Sequence, residues 1–174
     1  MSIENNWETI NSTSVYENPW IAIDHREVIN PAGNKGIYGL VKFKNKAIGI
    51  IPIDADGNIY LVGQFRYAID AYSWEIPEGG GAMDTDPLDS AKRELKEETG
   101  LEAHTWTQLA RIHTSNSATD EEGLTQWQAE PEETEELSVR LVPLQEAVEM
   151  VMRSEITDSL SVCGILMVAR LRGI

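Results

Sequence analysis

The chain has 174 residues, 41% of them hydrophobic and 25% charged, an ordinary balance for a folded globular protein that sets disorder aside. At roughly 150 residues per domain this length suits a single domain with one sizeable core. Asp and Glu number 29 against 14 Lys and Arg, a formal net charge of −15, so a nucleic-acid duplex or an anionic membrane surface would be repelled.

No apolar run approaches the ~20 residues of a membrane helix, and the polar start MSIENNWETI does not read as a signal peptide. The single Cys163 excludes an internal disulfide framework and, without spaced His or Cys partners, a structural zinc site. A reduced, cytoplasmic compartment is the expectation. Excess acid by itself only aids solubility. It also allows a phosphorylated small molecule to bind, provided carboxylates hold divalent cations between protein and phosphate.

The first part of the chain reads as strands. Ser14–Tyr16 is followed by Trp20–Ile23, with Asn18-Pro19 as punctuation, and Asn30-Pro31-Ala32-Gly33 marks a turn. Tyr38–Phe43 alternates as a half-buried strand that Asn45 should break. Ala47–Ile53 is nearly all apolar, the pattern of a strand buried on both faces. Asp54–Asn58 has hairpin-turn chemistry, which makes Ile59–Phe65 the expected partner of that strand.

A helix follows. Asp86 suits the N-cap, Pro87 the first helical position and Gly100 the stop. Leu88, Ala91 and Leu95 form its apolar stripe. Glu102–His113 reads as extended, Leu137–Val142 as a strand ending at Pro143, and Leu144–Arg153 and Asp158–Arg172 as helices. Cys163 is expected to be a small buried hydrophobe in the last of them. The segment from Asp120 to Glu136 is the most acidic and least regular.

The chemistry concentrates on the first helix. Glu94, Glu97 and Glu98 stand at i, i+3 and i+4 and share one face. Like charges at that spacing cost an isolated helix a few tenths of a kcal/mol per pair. Solvent or a divalent cation must compensate, and clustered carboxylates are the oxygen ligands a hard cation prefers. Just upstream, Pro77-Glu78-Gly79-Gly80-Gly81 permits close backbone approach.

Gly79, Arg93-Glu94-Leu95, Glu97-Glu98 and Gly100-Leu101 resemble the signature of the Nudix hydrolases: Gly, five residues, Glu, seven residues, Arg-Glu-apolar, one residue, Glu-Glu, one residue, Gly-apolar. One position departs, since Thr85 stands where the pattern has its first Glu. Gln64–Tyr67, Trp74–Pro77 and Glu155–Asp158 resemble the branch that hydrolyses ADP-ribose and other nucleoside diphosphate sugars.

The resemblance implies an α/β fold, a Nudix α/β/α sandwich with a mixed sheet plus an N-terminal antiparallel sheet. Residues 1–174 would form one Nudix domain, with about 1–45 as a dimer-forming sheet and about 46–174 as the core. It implies Mg2+, with Mn2+ as the alternative, held by Glu94, Glu98 and the main-chain carbonyl of Glu78. Glu97 would be a further ligand or water-orienting carboxylate, and Arg93 would brace the glutamates. Glu133 and Glu135 match the loop that supplies the base, Glu133 as base and Glu135 as its metal-assisting neighbour, with Glu132 one residue away as the alternative. Arg66 matches a phosphate- or ribose-binding arginine, and Trp20 and Tyr38 are candidates to flank the nucleobase. In the family an apolar strand precedes the base loop, whereas here only Gly123-Leu124 stands in its place, so a truncated strand or a reorganised loop is expected. The implied reaction is metal-dependent cleavage of a nucleoside diphosphate sugar, in a homodimer, to a nucleoside monophosphate and a sugar phosphate. ADP-ribose, GDP-mannose and UDP- or CDP-sugars all fit. The alternative is a non-catalytic Nudix-fold sensor of nucleotide sugars, against which the intact glutamates stand.

Overall fold

The structure, a computed structural model, describes residues 4–119, 124–132 and 139–174. Of these, residues 4–45 and 113–119 form one compact unit and the rest form a second.

The first unit is a three-stranded antiparallel meander, β1 (Glu8–Glu17), β2 (Ile21–Ile29) and β3 (Lys35–Phe43), in that order. Its turns are built on asparagine side chains, which mimic a backbone turn. Asn18 Oδ1 accepts from the N–H groups of Trp20 and Ile21, and Asn30 Oδ1 from those of Ala32 and Asn34. The central strand β2 buries Ala22, Asp24 and Val28, whereas β1 is exposed along its whole length. Asp24 is a buried acid, 5% exposed. Burial requires partners, and Lys42 at 2.9 Å and Arg26 at 3.4 Å supply them. The bend that ends β3 falls at Lys44; Asn45, expected to be the breaker, opens the next strand.

The second unit contains β4 (Asn45–Pro52), β5 (Asn58–Arg66), β6 (Ala71–Glu75), β7 (Glu78–Ala82), α1 (Pro87–Thr99), β8 (Glu102–Ile112), β9 (Leu124–Glu132), β10 (Arg140–Pro143), α2 (Leu144–Met152) and α3 (Ser159–Arg172). One sheet runs β7-β4-β9-β8, with β4 and β9 parallel and β8 antiparallel to β9. A second sheet, β10-β5-β6, is antiparallel.

β4 sorts the core. Ile48 and Ile50 pack with Ala91, Leu95 and Leu101 on the α1 side. Ile51 and Ile53 join Leu144, Met150, Leu160, Ile165 and Val168 of α2 and α3. Alternate residues of a strand point to opposite faces, so this one strand serves both layers, as its unbroken apolar run implied. Helix α1 is capped as its sequence suggests. Asp86 accepts from the N–H of Leu88 at 2.8 Å, and Gly100 takes a left-handed φ of 72° with its N–H on Lys96 O. The α/β sandwich with a mixed sheet is therefore present.

Three expectations change. β4 and β5 are not ladder partners: they meet at one bridge, Ile53 with Ile59. The Asp54 carboxylate accepts from the N–H groups of Asp56 and Asn58 and from the Asn58 side chain. A turn wrapped on that carboxylate lets the strands part into different sheets. Next, the strand near Gly123-Leu124 is not truncated, because β9 runs nine residues from Leu124; the loop that follows it lies outside the described residues. Ladders on both sides satisfy the backbone of β9, so this strand forms without the apolar alternation a sequence reader looks for. Finally, Cys163 is half-buried, not enclosed in the core.

Candidate active site

The second unit brings together residues that lie far apart in sequence. Gly79 on β7 faces Glu94 on α1, and a Cβ added at Gly79 would overlap the Glu94 carboxylate. This is the close approach for which glycine is needed, and it places a buried carboxylate, 8% exposed, against the strand. Glu98, one turn on, accepts from the N–H of Glu78 at 2.8 Å. Burial and the charge of Glu94 raise its carboxyl above the ordinary 4.5, against the opposing pull of that N–H. Arg93 donates to Glu94 at 2.6 Å, to Glu97 at 2.5 Å and to the carbonyl of Gly80 at 2.5 Å. Arg93 thus touches the acidic face and β7 at once, while Glu97 remains exposed and tied to it.

Beside this pair lies a second cluster. Arg66, at the end of β5, donates through Nε and Nη2 to both oxygens of Glu75 and through Nη2 to Glu78 Oε1 at 2.8 Å. Register explains the reach. Gln64 faces Ser73 and Arg66 faces Ala71 across the β5–β6 ladder, so Arg66 runs back along that face to Glu75. Glu75 is 2% exposed. Burial opposes its charge, and Arg66 with the Ser73 hydroxyl outweighs burial, so its carboxyl titrates below the ordinary 4.5. Glu78 behaves oppositely. Burial first, then the charges of Asp158 and Glu75, push its carboxyl up to about 9. Its Oε2 is buried and has no hydrogen-bond partner among the described residues. Asp158 caps α3 by accepting from the N–H of Ser161.

The structure therefore gathers Arg66, Glu78, Glu94 and Glu98 in the second unit, with Glu97 on the outer side of α1. Trp20 and Tyr38 belong to the first unit. Trp20 is 66% exposed; Tyr38 donates its hydroxyl to Ser117 O and sets its ring edge-on to Trp7 at 5.8 Å. Glu133 and Glu135 lie outside the described residues. Glu75, the side chain of Glu78 and Asp158 join the cluster without having been singled out as site residues. The alternation of Ser73 and Glu75 on a strand beside Arg66 was the signal for the first of them.

Comparison with known proteins gives this geometry a family. A model of the NUDIX domain matches residues 43–159, and one of the nucleoside diphosphate sugar hydrolase N-terminal domain matches residues 7–41. The chain belongs to the Nudix hydrolase family. It is 31% identical to the ADP-ribose pyrophosphatase of Mycobacterium tuberculosis over 95% of this chain and 84% of the relative. It is 29% identical to the ADP-ribose pyrophosphatase of Bacillus subtilis over 87% and 86%. A crystal structure of an ADP compounds hydrolase superposes with a TM-score of 0.83 at 19% identity, covering 99% of this chain and 98% of that one, a likeness of fold.

Nudix chemistry calls for a divalent cation, and the residues present fit one. Among the described residues no three Asp, Glu, His or Cys side chains converge as a ligand cage. Mg2+ is ordinarily bound by one or two carboxylates together with waters and substrate phosphate, not by an all-protein cage. Glu94 pressed under Gly79, and Glu98 held where burial and its neighbour's charge disfavour ionisation, make a pair that a cation would relieve.

Proposed function

We propose that this Nudix hydrolase cleaves the pyrophosphate of a nucleoside diphosphate sugar, ADP-ribose being the first candidate, to a nucleoside monophosphate and a sugar phosphate. The observation that carries the reading is the Glu94–Glu98 pair beneath Gly79, with Arg66 in the same unit. The two ADP-ribose pyrophosphatase relatives support the choice of substrate.

In this reading Glu94, Glu98 and the carbonyl of Glu78 hold Mg2+ or Mn2+. When bound, the cation neutralises the diphosphate and lowers the pKa of attacking water. Arg93 keeps the acidic face in order through its bonds to Glu94, Glu97 and Gly80. Glu97, exposed beside them, orients water. Arg66 supplies N–H donors to a phosphate oxygen. Glu133 takes the proton from water and Glu135 assists. Trp20 and Tyr38 flank the base, because aromatic faces stack on any nucleobase. Positioning and charge neutralisation carry most of such a reaction.

The working form is a cytoplasmic homodimer. The first unit exposes Ile10, Val15, Tyr16, Trp20 and Ile37, and its edge strand β1 is exposed on both faces. Long open edges invite pairing, and a second copy of this chain would cover both features.

A panel of nucleoside diphosphate sugars with Mg2+, read by the phosphate released after adding a phosphatase, tests the proposal. Turnover of ADP-ribose or a related sugar nucleotide is expected. Tight nucleotide-sugar binding with no Mg2+-dependent turnover of any panel member would overturn it in favour of a sensor.

A further inference from the structure

We infer that Glu75 is a positioning residue, which fixes Arg66 by one edge of its guanidinium and leaves Nη1 as the group that meets the substrate diphosphate. The inference rests on the proposed role of Arg66.

A guanidinium has five N–H donors in a rigid plane. Three are already used. The Nε–H is shared between both oxygens of Glu75 at 2.9 Å each, and the two Nη2 hydrogens go to Glu75 Oε2 and Glu78 Oε1. The remaining pair, both on Nη1, has no partner among the described residues. The Arg66 side chain is 38% exposed, whereas that of Glu75 is 3% exposed. One edge is thus locked to a buried anchor while the side chain keeps open surface. The fork usually offered to an anion, Nε with Nη2, is spent within the protein.

This arrangement does two things. It removes the rotamer freedom that a long cation would otherwise lose on binding, and such preorganisation improves affinity. It also limits Arg66 to one nitrogen, so it bonds a phosphate oxygen through Nη1 alone and not through two parallel bonds. The Glu75 carboxylate touches neither substrate nor metal in this scheme. The Ser73 hydroxyl beside Glu75 helps keep it ionised.

The test is steady-state kinetics with ADP-ribose and Mg2+ on Glu75→Gln, Arg66→Ala, Arg66→Lys and the double variant Arg66→Lys/Glu75→Gln. The amide of Gln offers one acceptor where the clamp needs two. Glu75→Gln should raise KM about tenfold with kcat within about threefold of the parent, the signature of lost uniform binding. Lysine cannot be gripped by the edge, so Glu75→Gln should change KM less than twofold in the Arg66→Lys background. If Glu75→Gln does not fold, Glu75→Asp, which keeps the charge but withdraws it by one methylene, takes its place in the same comparison. Unchanged KM in Glu75→Gln beside a raised KM in Arg66→Ala would overturn the positioning role and leave Arg66 as a substrate ligand. So would an equal Glu75 effect in both backgrounds. An unchanged KM in Arg66→Ala would overturn the role of Arg66 itself, and this inference with it.

Discussion

Gly79 has no side chain at the one point on β7 where the Glu94 carboxylate needs the space. The atoms that an added Cβ would strike are the far end of a flexible side chain, so the fold can absorb Gly79→Ala by moving Glu94 aside. The two costs separate. Stability should fall by about 1–3 kcal/mol, the usual cost of added bulk in a packed site. Mg2+-dependent kcat should fall at least tenfold. Parallel thermal melts and kinetics would show it, and parent-like turnover would mean Glu94 is not a ligand. Glu98→Gln is the complementary experiment. Burial and Glu94 hold the Glu98 carboxyl above 4.5, so a neutral isostere relieves a cost in the metal-free protein. Its metal-free melting temperature at pH 8 should equal or exceed the parent's, while kcat at saturating Mg2+ drops about 100-fold, or ~2.7 kcal/mol. At this scale the sequence was clearest where spacing carried the message: Gly79, Arg93, Glu94 and Glu98 lie in one contiguous motif. The Glu75–Arg66 clamp was hidden. It depends on which strand lies beside β5, and β6 is a five-residue strand with two exposed residues at its start.

Elements were legible in proportion to their periodicity. Helix α1 could be placed to the residue from Asp86 and Gly100, and β4 could be recognised by its isoleucines. β7 could not, because Glu-Gly-Gly-Gly-Ala has neither apolar alternation nor β-branching; it is a strand because it pairs with β4, with Gly79 and Gly81 fitting against α1. β9 escaped for a related reason, its pairing resting on ladders with β4 and β8. In the first unit, β2 carries an acid that only its neighbours make tolerable. The hydrogen bond from Lys42 is the main reason the Asp24 carboxyl titrates below the ordinary 3.8, with Arg26 adding to it and burial opposing. A depressed acid contributes stability that is present above its unfolded value and lost as pH falls through its folded value. Asp24→Asn should therefore destabilise the β1–β3 meander at pH 7, and the gap from the parent should close as pH drops below about 3.8. Amide exchange of β2 against pH would report it; a gap that persists at pH 2 would show that the cost of Asp24→Asn is steric.

For the molecule as a whole, composition narrowed the partners and the motif supplied the family. Which face a second copy would cover in the proposed dimer was not readable, because exposure depends on how strands are paired. Ile37, 73% exposed on β3, is a sensitive probe of the proposed dimer. The parent should sediment at about twice the 19.4 kDa chain mass, and Ile37→Glu should shift it toward the monomer without altering the far-UV spectrum. A parent that sediments at the single-chain mass would remove the dimer from the proposal.

The parting of β4 from β5 has a consequence for how this chain is made. A hairpin can close as soon as it leaves the ribosome, but β4 finds its parallel partner only in β9, and β5 finds β10 only beyond residue 139. At about 5–20 residues per second, the wait between finishing β4 and finishing β9 is on the order of four to sixteen seconds. Ile48 and Ile50 gain the α1 side of their cover sooner, but Ile51 and Ile53 wait longer still for α2 and α3, in a segment whose composition favours intermolecular β-pairing. Lys44 and Lys46 precede the run, and Asp54 and Asp56 follow it. Charges in those flanks act as gatekeepers against aggregation, so the residues that bound the strand also protect the newborn chain until its second half arrives.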